Sequence, residues 1–180
     1  MLTVIIPTRD SERPLVHTLA ALVPGATAGL VREVIVADGG SRDDTEQVAD
    51  IAGCVFLASG GPLENRLNAA ARRARGEWLM FLRPGIVLGP MWIDDILAFA
   101  SQAPDGAAVF ARGTPGIGAR LSRLFGLRPR PDQGLVLPKP LYLQLGGHHA
   151  DDGDAEADLL RRLGRPRLTV LRTAVTRANI

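Results

Sequence analysis

Four short apolar runs, separated by segments of helical period, occupy residues 1–82 and leave few ways to fold. Residues 2–6 are closed by Pro7, and 31–37, 54–57 and 78–82 follow. Runs of this length without polar alternation suit strands buried on both faces, as in a parallel sheet covered by helices. Between the first two, Leu15, Leu19 and Leu22 recur at helical spacing, and Pro24-Gly25 predicts the end of that helix. Ser41, with Asp44 three positions on, reads as a capping box and predicts a helix over 43–52. After the turn Ser59-Gly60-Gly61-Pro62, residues 63–74 read as an alanine- and arginine-rich helix. Such alternation, with right-handed crossovers, sets the fold class: α/β, a three-layer sandwich with a mostly parallel central sheet.

The second half is less regular. Residues 91–103 read as a helix and 107–110 as a strand. A bend at 113–118 leads into a basic amphipathic stretch, 117–127, and Asp132-Gln133-Gly134 precedes a short apolar run. Residues 146–153 read as a polar loop, 155–163 as a helix and 168–171 as a final strand. No linker, repeat or low-complexity tail divides the chain, so residues 1–180 are read as one domain.

Composition narrows the chemistry. A chain of 180 residues buries roughly 70% of the surface its unfolded form exposes, so it needs no disulfide or metal staple. Cys54 is the only cysteine, which excludes an internal disulfide and any multi-cysteine metal site. A net charge of +2 does not argue for nucleic acid. Lys139 is the only lysine, so the other basic groups are arginines, whose rigid fork of donors suits phosphate. No basic-then-apolar leader opens the sequence and no apolar run approaches ~18 residues, so the expected address is the cytoplasm.

The segment Val34-Ile35-Val36-Ala37-Asp38-Gly39-Gly40-Ser41-Arg42-Asp43-Asp44-Thr45 carries the most specific signal. It places a carboxylate at the carboxyl end of a parallel strand, the edge where open α/β sheets bind ligands. The glycines allow close backbone approach, and the following helix start offers N–H donors. The same residues also suit a plainer role, in which Asp38 opens a turn and Ser41 caps a helix.

This segment resembles the nucleotide-binding turn of family-2 glycosyltransferases, which fold as GT-A domains. The opening Val4-Ile5-Ile6-Pro7-Thr8 resembles that family's first strand. Asn68, the 69–75 run, Gly76-Glu77 and 78–82 resemble the helix and strand that lead to its metal-binding carboxylates. Asp132-Gln133-Gly134, Gly146-Gly147 and the 155–164 segment resemble its acceptor-side and catalytic-base regions. The likeness is nearest to a small bacterial subgroup with Asp-Gly-Gly-Ser and Asp-Gln-Gly motifs. It implies that residues 1–88 form a nucleotide-binding half and 89–180 an acceptor-side half. It implies that Asp38 contacts the nucleotide, with Pro7, Thr8, Asp10, Gly39 and Asn68 around it. Asp10 stands where the family commonly has Asn, and Ser11 where it has Glu. On the acceptor side the likeness singles out Asp132, Gln133 and Asp158.

Two departures matter. The family ends its fourth strand with a carboxylate that holds a divalent cation, manganese or magnesium, against the diphosphate. Here the chain reads Phe81-Leu82-Arg83-Pro84-Gly85, with no acid before Asp94 and Asp95 on the next predicted helix. Arg83 is then either a fixed positive charge in place of the cation or a surface arginine. In the base region Ala155 and Glu156 replace an acidic pair, leaving Glu156 as the candidate catalytic base. The neighbouring acids Asp151, Asp152 and Asp154 equally suit a helix amino terminus.

His148 and His149 point apart in an extended loop and are expected to be solvent-exposed rather than metal ligands. Ile117, Leu121, Leu124 and Phe125 share a helical face, with Arg120, Arg123, Arg128 and Arg130 around it. That pattern over 117–130 suits a core-facing helix with a basic rim, or peripheral contact with an anionic membrane. Two functions remain: an inverting glycosyltransferase using a nucleoside-diphosphate sugar and an unidentified acceptor, or an inactive GT-A-like protein that binds a nucleotide-sugar or a protein partner. Nucleotidyl transfer, a Rossmann dehydrogenase and a methyltransferase are disfavoured, because Pro7-Thr8-Arg9 stands where a Gly-rich phosphate loop belongs.

Overall fold

The first strand, β1 (Leu2–Thr8), is buried along its length except at Pro7, so its backbone groups must pair on both edges. They do so with two parallel neighbours, β2 (Val31–Asp38) and β4 (Trp78–Phe81). The computed structural model describes residues 1–112, 129–149 and 154–178. It adds β3 (Val55–Ala58), β5 (Ile86–Leu88), β6 (Ala107–Arg112), β7 (Leu135–Pro138) and β8 (Leu168–Arg177) to one sheet, ordered β3-β2-β1-β4-β7-β6-β8-β5. The pairs β1–β2, β1–β4, β2–β3 and β6–β8 are parallel, whereas β4–β7, β6–β7 and β5–β8 are antiparallel. The sheet is mostly parallel, as the alternation predicted.

Side chains that alternate along the strands build two cores. On one face Leu2, Val4 and Ile6 pack with Leu15 and Leu22 of α1 (Glu12–Thr27), Ala49 of α2 (Thr45–Ile51) and Trp92 of α4 (Trp92–Gln102). On the other, Ile5 and Phe81 pack with Leu67 of α3 (Leu63–Arg73), Tyr142 of α5 (Lys139–Gln144) and Leu159 of α6 (Ala155–Leu163). These are the three layers expected.

Several boundaries differ from the sequence reading. Helix α1 passes through Pro24 and ends at Ala28–Gly29, where Gly29 takes φ +72°. Packing overrides the proline: Gly25, without a Cβ, lets the Trp92 ring close on the helix, and Leu30 N donates back to Gly25 O at 3.0 Å. Helix α2 starts at Thr45 rather than 43, because Ser41 turns its hydroxyl to Asp38 instead of capping. Strand β8 runs to Arg177, past the predicted 168–171, because its second half pairs with β5, a strand too short to read from sequence. Helix α5 was likewise hidden in the Pro138-Lys139-Pro140 stretch. The amphipathic residues 117–128 lie outside the described residues.

Gly76 shows how tightly α3 is joined to β1. A Cβ there would stand 2.6 Å from Thr3 N and 2.8 Å from Thr3 Oγ1, although its backbone is not left-handed. Gly76→Ala is therefore expected to lower unfolding stability by roughly 1–3 kcal/mol through overpacking against backbone, read as a reduced urea midpoint. An unchanged midpoint would refute that steric account.

Candidate active site

The carboxyl ends of β1, β2 and β4 lie side by side, with Asp38 closing β2 and Arg83 two residues past the end of β4. Thr8 pairs with Asp38 across β1 and β2. Asp38 is 2% exposed, and its carboxylate accepts four donors. Thr8 Oγ1 reaches Oδ1 at 2.8 Å, Ser41 Oγ also reaches Oδ1, and Gly40 N and Ser41 N each reach Oδ2 at 2.8 Å. Gly40, at φ +87°, turns the two N–H groups inward. Burial alone would raise the Asp38 pKa, but the Ser41, Thr8 and Gly40 donors hold it below the ordinary 3.8, so it is ionised at neutral pH. A carboxylate has about four lone-pair sites, so a ligand N–H at Asp38 must displace one of these donors.

The loops around it interlock. Asp10, at φ +47°, donates its N–H to Ser41 Oγ at 2.8 Å and accepts Arg42 N at 2.7 Å. Gly39 N donates to Thr8 O at 2.9 Å, and Pro7 sits half-buried opposite Ala37. Arg66, which the sequence reading missed, crosses over this turn. Its Nη1 donates to Thr8 O at 3.0 Å and Ala37 O at 2.7 Å, and its Cζ lies where a Gly39 Cβ would come within 2.9 Å. Its Nε is buried with no partner among the described residues. The available signal was the absent side chain of Gly39, which implies an occupant above it.

Beyond β4, Arg83 meets the amino terminus of α6. Its Nε donates to Glu156 Oε2 at 2.7 Å, its Nη2 also pairs with that oxygen, and Nη2 reaches Asp154 Oδ2 at 3.1 Å. Asp154 caps the helix by accepting Glu156 N at 3.0 Å and Ala157 N at 3.3 Å. Glu156 is 6% exposed; burial raises its pKa above the ordinary 4.5, with Arg83 opposing. Asp95 does not reach this edge. Its carboxylate accepts Thr173 N at 2.6 Å and Thr173 Oγ1 at 2.8 Å, bracing β8.

The expectation of exposed histidines is corrected for His148, which is 2% exposed. Its ring stands edge-on to Phe81 at 4.8 Å, and its Nδ1 is 2.8 Å from Tyr142 Oη. Asn68, expected at the nucleotide, spends its amide on this cluster. Its Oδ1 accepts Tyr142 Oη at 2.7 Å and His148 N at 2.9 Å, while Nδ2 donates to His148 O at 2.8 Å. The cluster balances when Tyr142 donates to Asn68 and His148 donates from Nδ1 to Tyr142. Burial, with Arg162 adding, pushes the His148 pKa down to about 3, so the ring is neutral. The loop sequence gave no sign of burial because the aromatic partner, Phe81, is 67 positions away. His149 is exposed, with Nε2 2.8 Å from Gly146 O.

The residues that the sequence resemblance singled out on the acceptor side are engaged within the fold. Gln133 is buried, accepting Arg130 N at 2.8 Å and donating to Phe110 O at 2.7 Å. Asp132 pairs with Arg112 at 3.1 Å. Asp158 pairs with Arg161 at 3.0 Å and Arg162 at 2.7 Å, and Arg162 also donates to the Leu145 and Gly147 carbonyls, tying the Gly146-Gly147 bend to α6.

A mostly parallel sheet of this topology, with its polar groups along the carboxyl edge, defines a protein of GT-A architecture. The chain belongs to glycosyl transferase family 2, whose family model matches residues 3–146. Validoxylamine A glucosyltransferase of Streptomyces hygroscopicus subsp. limoneus is 33% identical over 112 residues, covering 58% of this chain and 25% of that protein. The chain thus spans about a quarter of the length of the curated relatives it matches. Among solved structures, S. aureus TarS 1-349 in complex with UDP-GlcNAc superposes with a TM-score of 0.73 at 21% identity, covering 99% of this chain and 59% of that one. Glucosyl-3-phosphoglycerate synthase from Mycobacterium tuberculosis, in complex with Mn2+, UDP and glucosyl-3-phosphoglycerate, superposes at 0.71 and 18% identity, covering 100% and 72%. At these identities the structural likeness establishes the fold.

The residues at the end of β4 do not fit a divalent cation. Arg83 offers only donors, and the two carboxylates near it among the described residues, Glu156 and Asp154, are already turned onto its guanidinium.

The two buried carboxylates give opposite pH dependences. The Asp38 contribution is complete above 3.8 and is lost as pH falls below it toward the lower folded value. The Glu156 contribution favours the fold when protonated and is lost as pH rises through its raised value. Asp38→Asn is expected to cost roughly 1–3 kcal/mol at neutral pH. Its deficit relative to wild type should shrink as pH drops beneath 3.8. Denaturant midpoints across pH check this, and a pH-independent deficit would contradict the ionised network.

Proposed function

We propose that this chain is an inverting glycosyltransferase that moves a sugar from a nucleoside-diphosphate sugar to an acceptor hydroxyl. The observation that carries the reading is the Arg83–Glu156 pair at the sheet edge that also holds the Asp38 turn. Glu156 takes the acceptor proton as the acceptor oxygen attacks the anomeric carbon from the face opposite the diphosphate. The bond from that carbon to the diphosphate oxygen breaks, and Arg83 stabilises the charge of the departing group. A buried carboxylate with a raised proton affinity suits a general base. Asp38, with Pro7, Thr8, Asp10 and Gly39, shapes the pocket for a uridine or related pyrimidine diphosphate. Asn68, Asp132, Gln133 and Asp158 then act by fixing the loops that face the substrates. The UDP-GlcNAc bound by TarS, the UDP bound by the synthase and the glucosyl transfer named for the Streptomyces relative support this donor class.

The reading takes residues 1–180 as one domain of the small bacterial subgroup with Asp-Gly-Gly-Ser and Asp-Gln-Gly turns. It places the chain in the cytoplasm, with the basic stretch 117–130 available to an anionic membrane. No helix among the described residues is long and apolar enough to cross a membrane. One observation favours a second reading, a non-catalytic nucleotide-sugar binder: Glu156 is ion-paired and the β4 end carries no carboxylate.

Turnover across a panel of sugar nucleotides decides between them. Under the first reading, Glu156→Gln lowers the rate about 10²–10⁴-fold while donor still binds. Asp38→Ala weakens donor at least several-fold, and activity survives EDTA. Full activity of Glu156→Gln, or strict manganese dependence, overturns the assigned roles. Binding without turnover by wild type establishes the second reading.

A further inference from the structure

Among the described residues at this edge, Arg83 faces two carboxylates, and it uses only part of its donor set. The Nε and Nη2 side of the guanidinium is turned onto Glu156 and Asp154, none of the described residues engages Nη1, and the side chain is 36% exposed. Glu156, by contrast, is 6% exposed and has no other side-chain partner among the described residues. One positive charge therefore serves two negative ones, with its outer edge open.

Resting on the donor-binding role proposed above, we infer that Arg83 is a donor-operated clamp on the base. Without donor it holds Glu156 paired; when the diphosphate arrives it is drawn to the phosphate oxygens, and Glu156 is freed to accept a proton. A diphosphate brings two or more negative charges and oxygens spaced for the guanidinium fork, so it competes well against one carboxylate. Glu156 cannot follow into solvent, because it lies in the first turn of α6 behind the Asp154 cap. Losing its counter-ion in a buried position raises its affinity for a proton, since an unpaired buried charge is costly. With acceptor present the proton comes from the acceptor hydroxyl; without it, from solvent. The base thus becomes strong only when a donor is in place.

Other charges near Glu156 do not offer the same exchange. Asp154 carries the same sign and is held as the α6 cap. On the elements packed against α6, the Pro131–Gln133 turn carries Asp132, which Arg112 engages, and α3 carries Glu64, Arg66, Arg72 and Arg73. None of these pairs with Glu156 among the described residues. On α6 itself Arg161 and Arg162 both pair with Asp158.

Calorimetric titration with UDP, CDP and GDP, in two buffers of different ionisation enthalpy, tests the clamp. Wild type is expected to take up a fraction of a proton on binding its diphosphate, and Glu156→Gln to abolish that uptake. Removing the competitor also frees Arg83, so Glu156→Gln should bind the diphosphate about five-fold tighter, equivalent to roughly 1 kcal/mol at 1.4 kcal/mol per tenfold. The tightening should vanish without the guanidinium, when Arg83→Met is compared with Arg83→Met/Glu156→Gln. Should Arg83→Met fail to fold, the proton uptake of wild type and its loss in Glu156→Gln decide the matter. Diphosphate binding without proton uptake, no tightening in Glu156→Gln, or tightening that persists without Arg83 overturns the clamp and leaves the donor-binding reading standing. No binding of any diphosphate to wild type overturns that reading, and the clamp with it.

Discussion

Strand β1 is buried on both faces and flanked on both edges, and the rest of the molecule hangs from that arrangement. A buried strand must satisfy every N–H and C=O, so β2 and β4 are obligatory neighbours rather than convenient ones. Their parallel register brings Thr8 level with Asp38 and Ile5 level with Phe81, two residues before Arg83. A slip of one residue would turn these side chains to the opposite faces, so the register that packs the two cores also assembles the edge.

Two carboxylates at that edge are buried to a similar degree but compensated differently. Asp38 is surrounded by neutral donors on its own and the neighbouring loop, and this keeps it an anion below its ordinary range. Glu156 depends on one arginine that it shares with Asp154, and its burial outweighs that help. The backbone N–H donors are fixed in the turn, and only the Thr8 and Ser41 hydroxyls can rotate aside, whereas a guanidinium that is 36% exposed can be drawn whole to another anion. The first arrangement gives a rigid scaffold and the second a group whose proton affinity responds to what binds beside it.

The remaining polar residues act through position. Asn68, Tyr142 and His148 close a network between α3, α5 and the Gly146–Gly147 bend, and Arg162 ties the same bend to α6. Gly147 takes φ +78° with Asn68 Oδ1 against the place of its missing Cβ, so that bend requires glycine on both counts. These contacts hold Glu156 opposite Arg83 from behind.

Much of the frame was legible before the structure. Apolar runs report burial, helical spacing reports a packed face, and the turn after β2 advertised Asp38 through its two glycines, because each is a local property of the chain. What escaped the sequence was non-local. Pro24 lies within a helix because the Trp92 packing beside Gly25 and the closing turn at Gly29 hold it there; His148 is buried because Phe81 comes from β4; Arg66 crosses Gly39 because α3 runs back over β2. The sequence by itself determined the α/β alternation, the strand-end carboxylate and the absence of an acid after β4. Only the tertiary structure decided that Arg83 and Glu156, 73 positions apart, are partners. The pair forms only where the end of β4 meets the first turn of α6, and no local pattern of residues encodes that meeting.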